Sequence, residues 1–152
     1  MLKEGVLNKV SPEKFHLLVG EIVSLFMGSK VHRNYEIRDV ADIILPFINA
    51  NQFRIYHDEK KRPIALLTWA KFSQEVEAEY LNGKIVLSEA EINSGEIIYF
   101  TDFIAPYGHT KLVVRDIKNN LFVNETAKAV RFISKGKRRS RVWVFKGRDY
   151  SK

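Results

Sequence analysis

The stretch Ile97-Ile98-Tyr99-Phe100-Thr101-Asp102-Phe103-Ile104-Ala105 constrains this chain more than any other. It is short, rich in β-branched and aromatic residues, and stopped by Pro106-Tyr107-Gly108. That combination reads as a strand. Strict alternation puts Ile97, Tyr99, Thr101 and Phe103 on one face and Ile98, Phe100, Asp102 and Ile104 on the other. Asp102 is then a carboxylate in an apolar row, and a charge in such a row must find a partner.

The rest of the chain supplies elements to surround that strand. Ser11-Pro12-Glu13 has the order of a helix start: capping hydroxyl, proline at the first position, acid near the positive dipole end. Phe15, Leu18, Val19, Ile22, Leu25 and Phe26 follow at helical spacing and should face the core, with Gly28 as the stop. A second helix is expected after a cap at Asp39, with Val40, Ile43, Ile44, Phe47 and Ile48 inward. Pro46 should kink or split it. Phe53 to His57 and Ile64 to Phe72 read as a hairpin across a charged turn, the longer and more apolar strand being central. Ser73 starts a helix carrying Val76, Tyr80 and Leu81, and Ser88-Glu89-Ala90-Glu91 matches a capping box. His109 to Asn120 fits a helix with Leu112, Val113, Ile117 and Leu121 inward. Ala129 to Ser134 and Arg141 to Lys146 make a final hairpin around Lys135 to Ser140. Helices mixed with successive hairpins predict an α+β fold: a mixed, mostly antiparallel sheet flanked by helices. With 152 residues and no internal repeat or linker, residues 1–152 are expected to form a single domain.

Several chemistries are excluded. The chain has no cysteine, so it has no disulfide framework, thiolate nucleophile or cysteine-bound metal. No Gly-x-Ser-x-Gly elbow or P-loop is present, and none of the four histidines stand at metal-ligand spacing. Lys3, Glu4 and Lys9 interrupt the first residues, so no signal peptide is expected. No apolar run reaches the ~20 residues of a membrane span. A cytoplasmic protein is the simplest expectation.

Charge is uneven. Residues 128–152 hold ten basic residues against Asp149 alone, a net +9 in a chain whose total is +7. The basic hairpin at about residues 128–148 would suit an acidic partner, or it would simply be a solvated face.

Among the histidines, His16 and His57 read as surface residues and His109 as a helix cap. His32 differs because Ser29, Arg33, Asn34 and Tyr35 crowd around it. Read alone, it is either a general base or a structural histidine bonded to backbone. Asp102 is either a structural ion-pair partner or the group that orients such a base. One contact between the two would explain both.

These residues carry a resemblance. Ser29-x-x-His32-Arg33-Asn34-Tyr35, Leu45-Pro46 with Ala50-Asn51-Gln52-Phe53, Thr68-Trp69-Ala70, Glu79-Tyr80-Leu81 and Phe100-x-Asp102-Phe103-Ile104-Ala105-Pro106-Tyr107-Gly108 follow one another as in the toxin-activating lysine acyltransferases of RTX (repeats-in-toxin) systems. The resemblance spans about residues 18–146. It implies a fold similar to the GNAT acyltransferases. It also implies transfer of a fatty acyl chain from acyl carrier protein to internal lysines of an RTX protoxin. In that pattern the essential histidine falls on His32, the essential aspartate on Asp102 and an implicated serine on Ser29; Ser29 and Asn34 are the candidates for binding or orienting substrate.

The chemistry is compatible. A lysine amine must lose a proton to attack a thioester, and His32 can take it while Asp102 stabilises the imidazolium; an acyl-His32 intermediate is the alternative. No permanently bound cofactor and no metal are expected. The chain lacks the Arg/Gln-x-x-Gly-x-Gly/Ala loop that holds a coenzyme pyrophosphate, which an acyl carrier protein donor does not require. Arg138, Arg139 and Arg141 are candidates for docking that acidic donor. Expected partners are acyl carrier protein and the protoxin, with a homodimer left open and no nucleic acid.

Two departures limit the resemblance. Some relatives carry asparagine where Ile43 stands, and many continue into a further helix beyond the level of Phe145-Lys146-Gly147. The rival reading is a module that binds nucleic acid or an acidic protein through Arg141, Trp143 and Phe145 on one strand face.

Overall fold

The structure is a computed structural model that describes residues 11–134 and 137–151, and the side chains of all of these except 131–141. Five strands form one open sheet in the order β1-β2-β3-β4-β5: β1 Phe53–His57, β2 Pro63–Phe72, β3 Ile97–Ile104, β4 Thr126–Ser134 and β5 Lys137–Lys146. All neighbours are antiparallel except β3 and β4, which run parallel and pair only at Tyr99–Lys128 and Phe100–Ala129. This is the mixed α+β architecture expected, and it is compatible with a GNAT-like fold. Both strands of the last hairpin are longer than their apolar patterns suggested.

Helices cover both faces. On one face lies α1, Pro12–Gly28, started by Ser11, whose hydroxyl accepts the Lys14 N–H at 3.3 Å. Its inward residues Ile22, Leu25 and Phe26 are fully buried and meet Ile44, Ile48, Leu66 and Ile104. Phe15, Leu18 and Val19, expected on the same face, are only half-buried.

The second helical region is broken as Pro46 requires. A short helix α2, Ile37–Asp39, runs into a π-helical turn over Val40–Ile44 and then into α3, Leu45–Asn49. Proline has no N–H to give, so the register widens before it and a new helix starts around it. Asp39 is not the N-cap expected. It is the third residue of α2, and its carboxylate reaches back to accept the Glu36 N–H at 2.7 Å. Helices α4, Gln74–Leu81, and α5, Glu89–Ile92, are capped by Ser73 and Ser88 as their sequences imply.

The opposite face is covered by α6, Thr110–Asp116, which continues as a π-helical turn over Ile117–Leu121. Val113 and Ile117 bury against Ala65, Leu67, Ile98 and Phe100. Leu112 departs from expectation: it is 44% exposed. Asp116 ties this layer to β1. Its carboxylate accepts from Arg54 at 2.9 Å, from the Tyr56 hydroxyl at 2.6 Å and from Asn120 at 2.8 Å. Beyond β5 the chain folds back, Gly147 donating to the Glu125 carbonyl and Asp149 to that of Val123. No helix among the described residues is long and apolar enough to cross a membrane.

Candidate active site

The decisive irregularity is a β-bulge in β3. Thr68 of β2 pairs with Asp102 while Trp69 pairs with Phe100, so Thr101 is an extra residue with no opposite number. One extra residue inverts the alternation beyond it. Ile98 and Phe100 pack with Phe103 against α6, whereas Ile104 joins Tyr99 on the face covered by α1 to α5. The expectation that Ile98, Phe100, Asp102 and Ile104 share one face is therefore corrected. Asp102 is turned onto the α1 face, where His32 waits.

His32 is delivered by the end of α1. Ser29 caps that helix in an extended conformation, and residues His32–Asn34 then form a 3₁₀ turn. Ser29 precedes that turn in extended backbone, and its hydroxyl caps the His32 N–H three residues on, which brings the two side chains of Ser29-x-x-His32 together. The Ser29 hydroxyl lies 2.7 Å from His32 Nδ1 and accepts the His32 backbone N–H at 3.3 Å. The imidazole closes a triangle of rings with Phe26 and Tyr35, tilted against both at centroid distances of 5.0 and 5.1 Å, while Phe26 and Tyr35 meet edge-on at 5.7 Å. Gly28, the last residue of α1, lies directly under the half-exposed Tyr107 side chain. The Tyr107 ring lies over it, and a Cβ there would come within 2.6 Å of the phenol oxygen. Residues from the two ends of the resemblance thus meet at Gly28–Tyr107 as well as at His32–Asp102.

His32 Nε2 stands 3.3 Å from Asp102 Oδ1, with both side chains largely buried. The other oxygen, Oδ2, accepts from the Thr68 hydroxyl at 3.1 Å; Thr68 has one proton, so Thr101, at 2.8 Å, donates to Thr68. A neutral imidazole fits this cradle with Nε2–H on Asp102 and the Ser29 hydroxyl donating to Nδ1. An imidazolium fits it equally, with both nitrogens donating to oxygen. Neighbours that satisfy both forms of the ring suit a residue that takes up and releases a proton.

Beside Asp102 is a small, partly open pocket lined by Tyr35, Ile43, Phe47, Tyr80, Leu87 and Thr101. Burial first, and then the charge of Asp102, push the Tyr35 and Tyr80 hydroxyls well above their ordinary range, so both stay protonated. Among the described residues no cluster of three or more His, Asp or Glu side chains is placed to hold a metal.

Of the sequence candidates, the fold brings Ser29, His32 and Asp102 together. Asn34 ends the 3₁₀ turn and is exposed at its rim. The side chains of Arg138, Arg139 and Arg141 lie outside the described residues, as does the turn at Lys135-Gly136. On β5, Trp143 is about half exposed, but Phe145, its supposed companion in stacking, packs edge-on against Phe100 at 5.4 Å. Thr68, Thr101 and Phe26 were not anticipated as parts of the site. For Thr68 a signal existed: it is the polar residue amid the buried apolar run of β2.

Comparison with known proteins points one way. The profile of the RTX toxin acyltransferase family matches residues 11–146. A Synechocystis protein, sll0720, described only as uncharacterized, is 42% identical over 129 residues, covering 84% of this chain and 88% of that one. The lysine-acyltransferase RtxC of Vibrio cholerae is 37% identical over 106 residues, 70% of this chain and 69% of its own. The leukotoxin-activating lysine-acyltransferase LktC of a Pasteurella haemolytica-like species is 30% identical over 135 residues, 89% of this chain and 80% of its own.

Proposed function

The chain belongs to the RTX toxin acyltransferase family, and from that membership and the His32–Asp102 pair we infer that it moves a fatty acyl group from acyl carrier protein to the ε-amino group of internal lysines in an RTX protoxin. The observation that carries the mechanism is the relay Ser29–His32–Asp102–Thr68.

A lysine side chain is an ammonium at neutral pH and cannot attack a thioester until it loses a proton. His32 takes that proton. The amine nitrogen then bonds to the thioester carbonyl carbon, and the C–S bond breaks. The nitrogen's second proton leaves with the thiolate, giving an amide and a free thiol. His32 returns its own proton to solvent. Asp102 keeps the ring oriented and offsets the positive charge it acquires, in the manner of a triad carboxylate. An acyl group carried for a time on His32 is the other route compatible with this cradle.

The basic segment of residues 128–152 supports docking of an acidic carrier protein, with Arg138, Arg139 and Arg141 as its anchors. Their charge reversal should weaken carrier binding with a steep salt dependence, and unchanged affinity at low salt would remove them from the interface.

The function is tested by mass spectrometry of a protoxin incubated with acyl carrier protein thioester and this protein. Lysine acylation is expected with the native chain and not with His32→Ala or Asp102→Ala. Acylation that persists in His32→Ala would refute the assigned base.

A further inference from the structure

Resting on the reading of this chain as a lysine acyltransferase, we propose that the Ser29 hydroxyl is the group that meets the acceptor amine, taking a proton from it while passing its own to His32 Nδ1.

Asp102 decides which nitrogen of His32 is basic. A carboxylate only accepts, so the nitrogen that faces it at 3.3 Å, Nε2, carries a hydrogen. In a neutral imidazole the other nitrogen, Nδ1, then holds the electron pair that takes up a proton. That pair is not open to substrate, because Ser29 Oγ stands 2.7 Å from Nδ1. It is the shortest hydrogen bond in the chain from Ser29 through His32 and Asp102 to Thr68. An amine that went straight to Nδ1 would have to displace this hydroxyl. One that went to Nε2 would have to displace Asp102, and would meet a hydrogen there.

Ser29 is equipped to stand between. A hydroxyl has one proton to give and two acceptor positions. Its proton lies towards Nδ1, and one acceptor position takes the His32 backbone N–H at 3.3 Å. Among the described residues no other donor is bonded to this oxygen, so the second acceptor position is left for an N–H of the substrate. Held by the ring and by the backbone, the hydroxyl is oriented before substrate arrives.

The way in favours the same group. The His32 side chain is only 13% exposed. Ser29 is half-buried at the end of α1, between the exposed Gly28 and Lys30. A lysine arriving from solvent reaches the hydroxyl before the imidazole.

The transfer balances. The substrate ammonium loses one proton to Oγ as Oγ loses one to Nδ1. The serine ends as it began, the ring becomes an imidazolium facing Asp102, and the neutral amine is left to attack the thioester. Ser29 forms no bond to carbon.

Two measurements test this. The first needs no turnover, so it stands apart from the acyl-transfer assignment. Nitrogen NMR of the native protein labelled at its histidines, at a pH where His32 is neutral, should show the hydrogen on Nε2 and a bare Nδ1. A hydrogen on Nδ1 would overturn the relay. The second is kinetic. Ser29→Ala should lower kcat for lysine acylation about 10²-fold, with KM for the thioester donor changed less than about twofold. Ser29→Thr, which keeps a hydroxyl, should recover to within about tenfold of the native rate. In mixtures of light and heavy water the native rate should curve as two moving protons require, and that of Ser29→Ala should follow the straight line of one. Unchanged kcat in Ser29→Ala, a loss that leaves the two-proton curve in place, or an acyl ester on Ser29 after incubation with donor alone would overturn the proposal.

Discussion

Thr68 and Asp102 face each other across β2 and β3, and the Thr68 hydroxyl donates to Asp102 Oδ2 at 3.1 Å. Both residues are buried, so no solvent replaces that donor when it is removed. Thr68→Val keeps the shape and deletes the hydroxyl. Asp102 is then free to rotate away from His32. The expected result is a fall in kcat of about tenfold, the equivalent of one interaction of roughly 1.4 kcal/mol, with little change in KM. Steady-state kinetics of lysine acylation check it, and Thr68→Ser should restore most of the rate.

Asp102→Asn separates orientation from charge. The amide can still meet His32 Nε2, but it carries no negative charge to offset an imidazolium. In a Ser-His-Asp triad the same change lowers kcat about 10⁴-fold. Here a loss of at least about 10²-fold is expected, with the circular dichroism spectrum unchanged. Kinetics on the folded variant provide the readout.

Two glycines should respond oppositely to alanine. At Gly147 a Cβ would stand 2.1 Å from the Phe122 carbonyl oxygen and 2.2 Å from that of Val123, both backbone atoms with little freedom. Gly147→Ala should therefore destabilise by about 1–3 kcal/mol or more. Gly20, within α1, has no atom within 4 Å of the same position. Gly20→Ala should stabilise by about 0.5–1 kcal/mol through helix propensity. Denaturant unfolding of both variants is the measurement.

Acid stability should depend on Asp116. Burial alone would raise its carboxyl, but hydrogen bonds from Tyr56, Asn120 and Arg54, with the guanidinium charge, outweigh that and hold it below the ordinary 3.8. Its folded value is thus lower than its unfolded one. The stability it adds is fully present above the unfolded value and is lost as pH falls through the folded one. Asp116→Asn should be less stable than the native chain at neutral pH, and the gap should narrow towards about pH 3. Thermal unfolding at the two pH values tests the sign.

Much of this architecture was legible because it is written locally. Ser11, Ser73 and Ser88 announce helix starts through their own hydroxyls, and Pro46 divides its helix through its own missing N–H. The Ser29–His32 contact is local too, since it needs only the Ser29 hydroxyl to cap the backbone N–H three residues on. What was hidden depends on chain segments meeting. The neighbour that covers Gly28 is the distant Tyr107, and the hydroxyl that steadies Asp102 lies in β2. Alternation placed Asp102 on the wrong side because the bulge is defined only against the register of a neighbouring strand. The link from His32 to Asp102 was suggested by two unexplained polar residues and a family resemblance; no periodicity within either segment contains it.

The unmatched Thr101 gives β3 something like a reading frame. Upstream of it, odd positions face the α1 layer; downstream, even positions do. Losing one residue there would leave His32 and Asp102 in the sequence yet swing the carboxylate to the far side of the sheet. Two chains could then agree at His32 and Asp102 and differ wholly in competence. Among relatives, an alignment gap between Phe100 and Asp102 is thus a graver change than most substitutions in the strand.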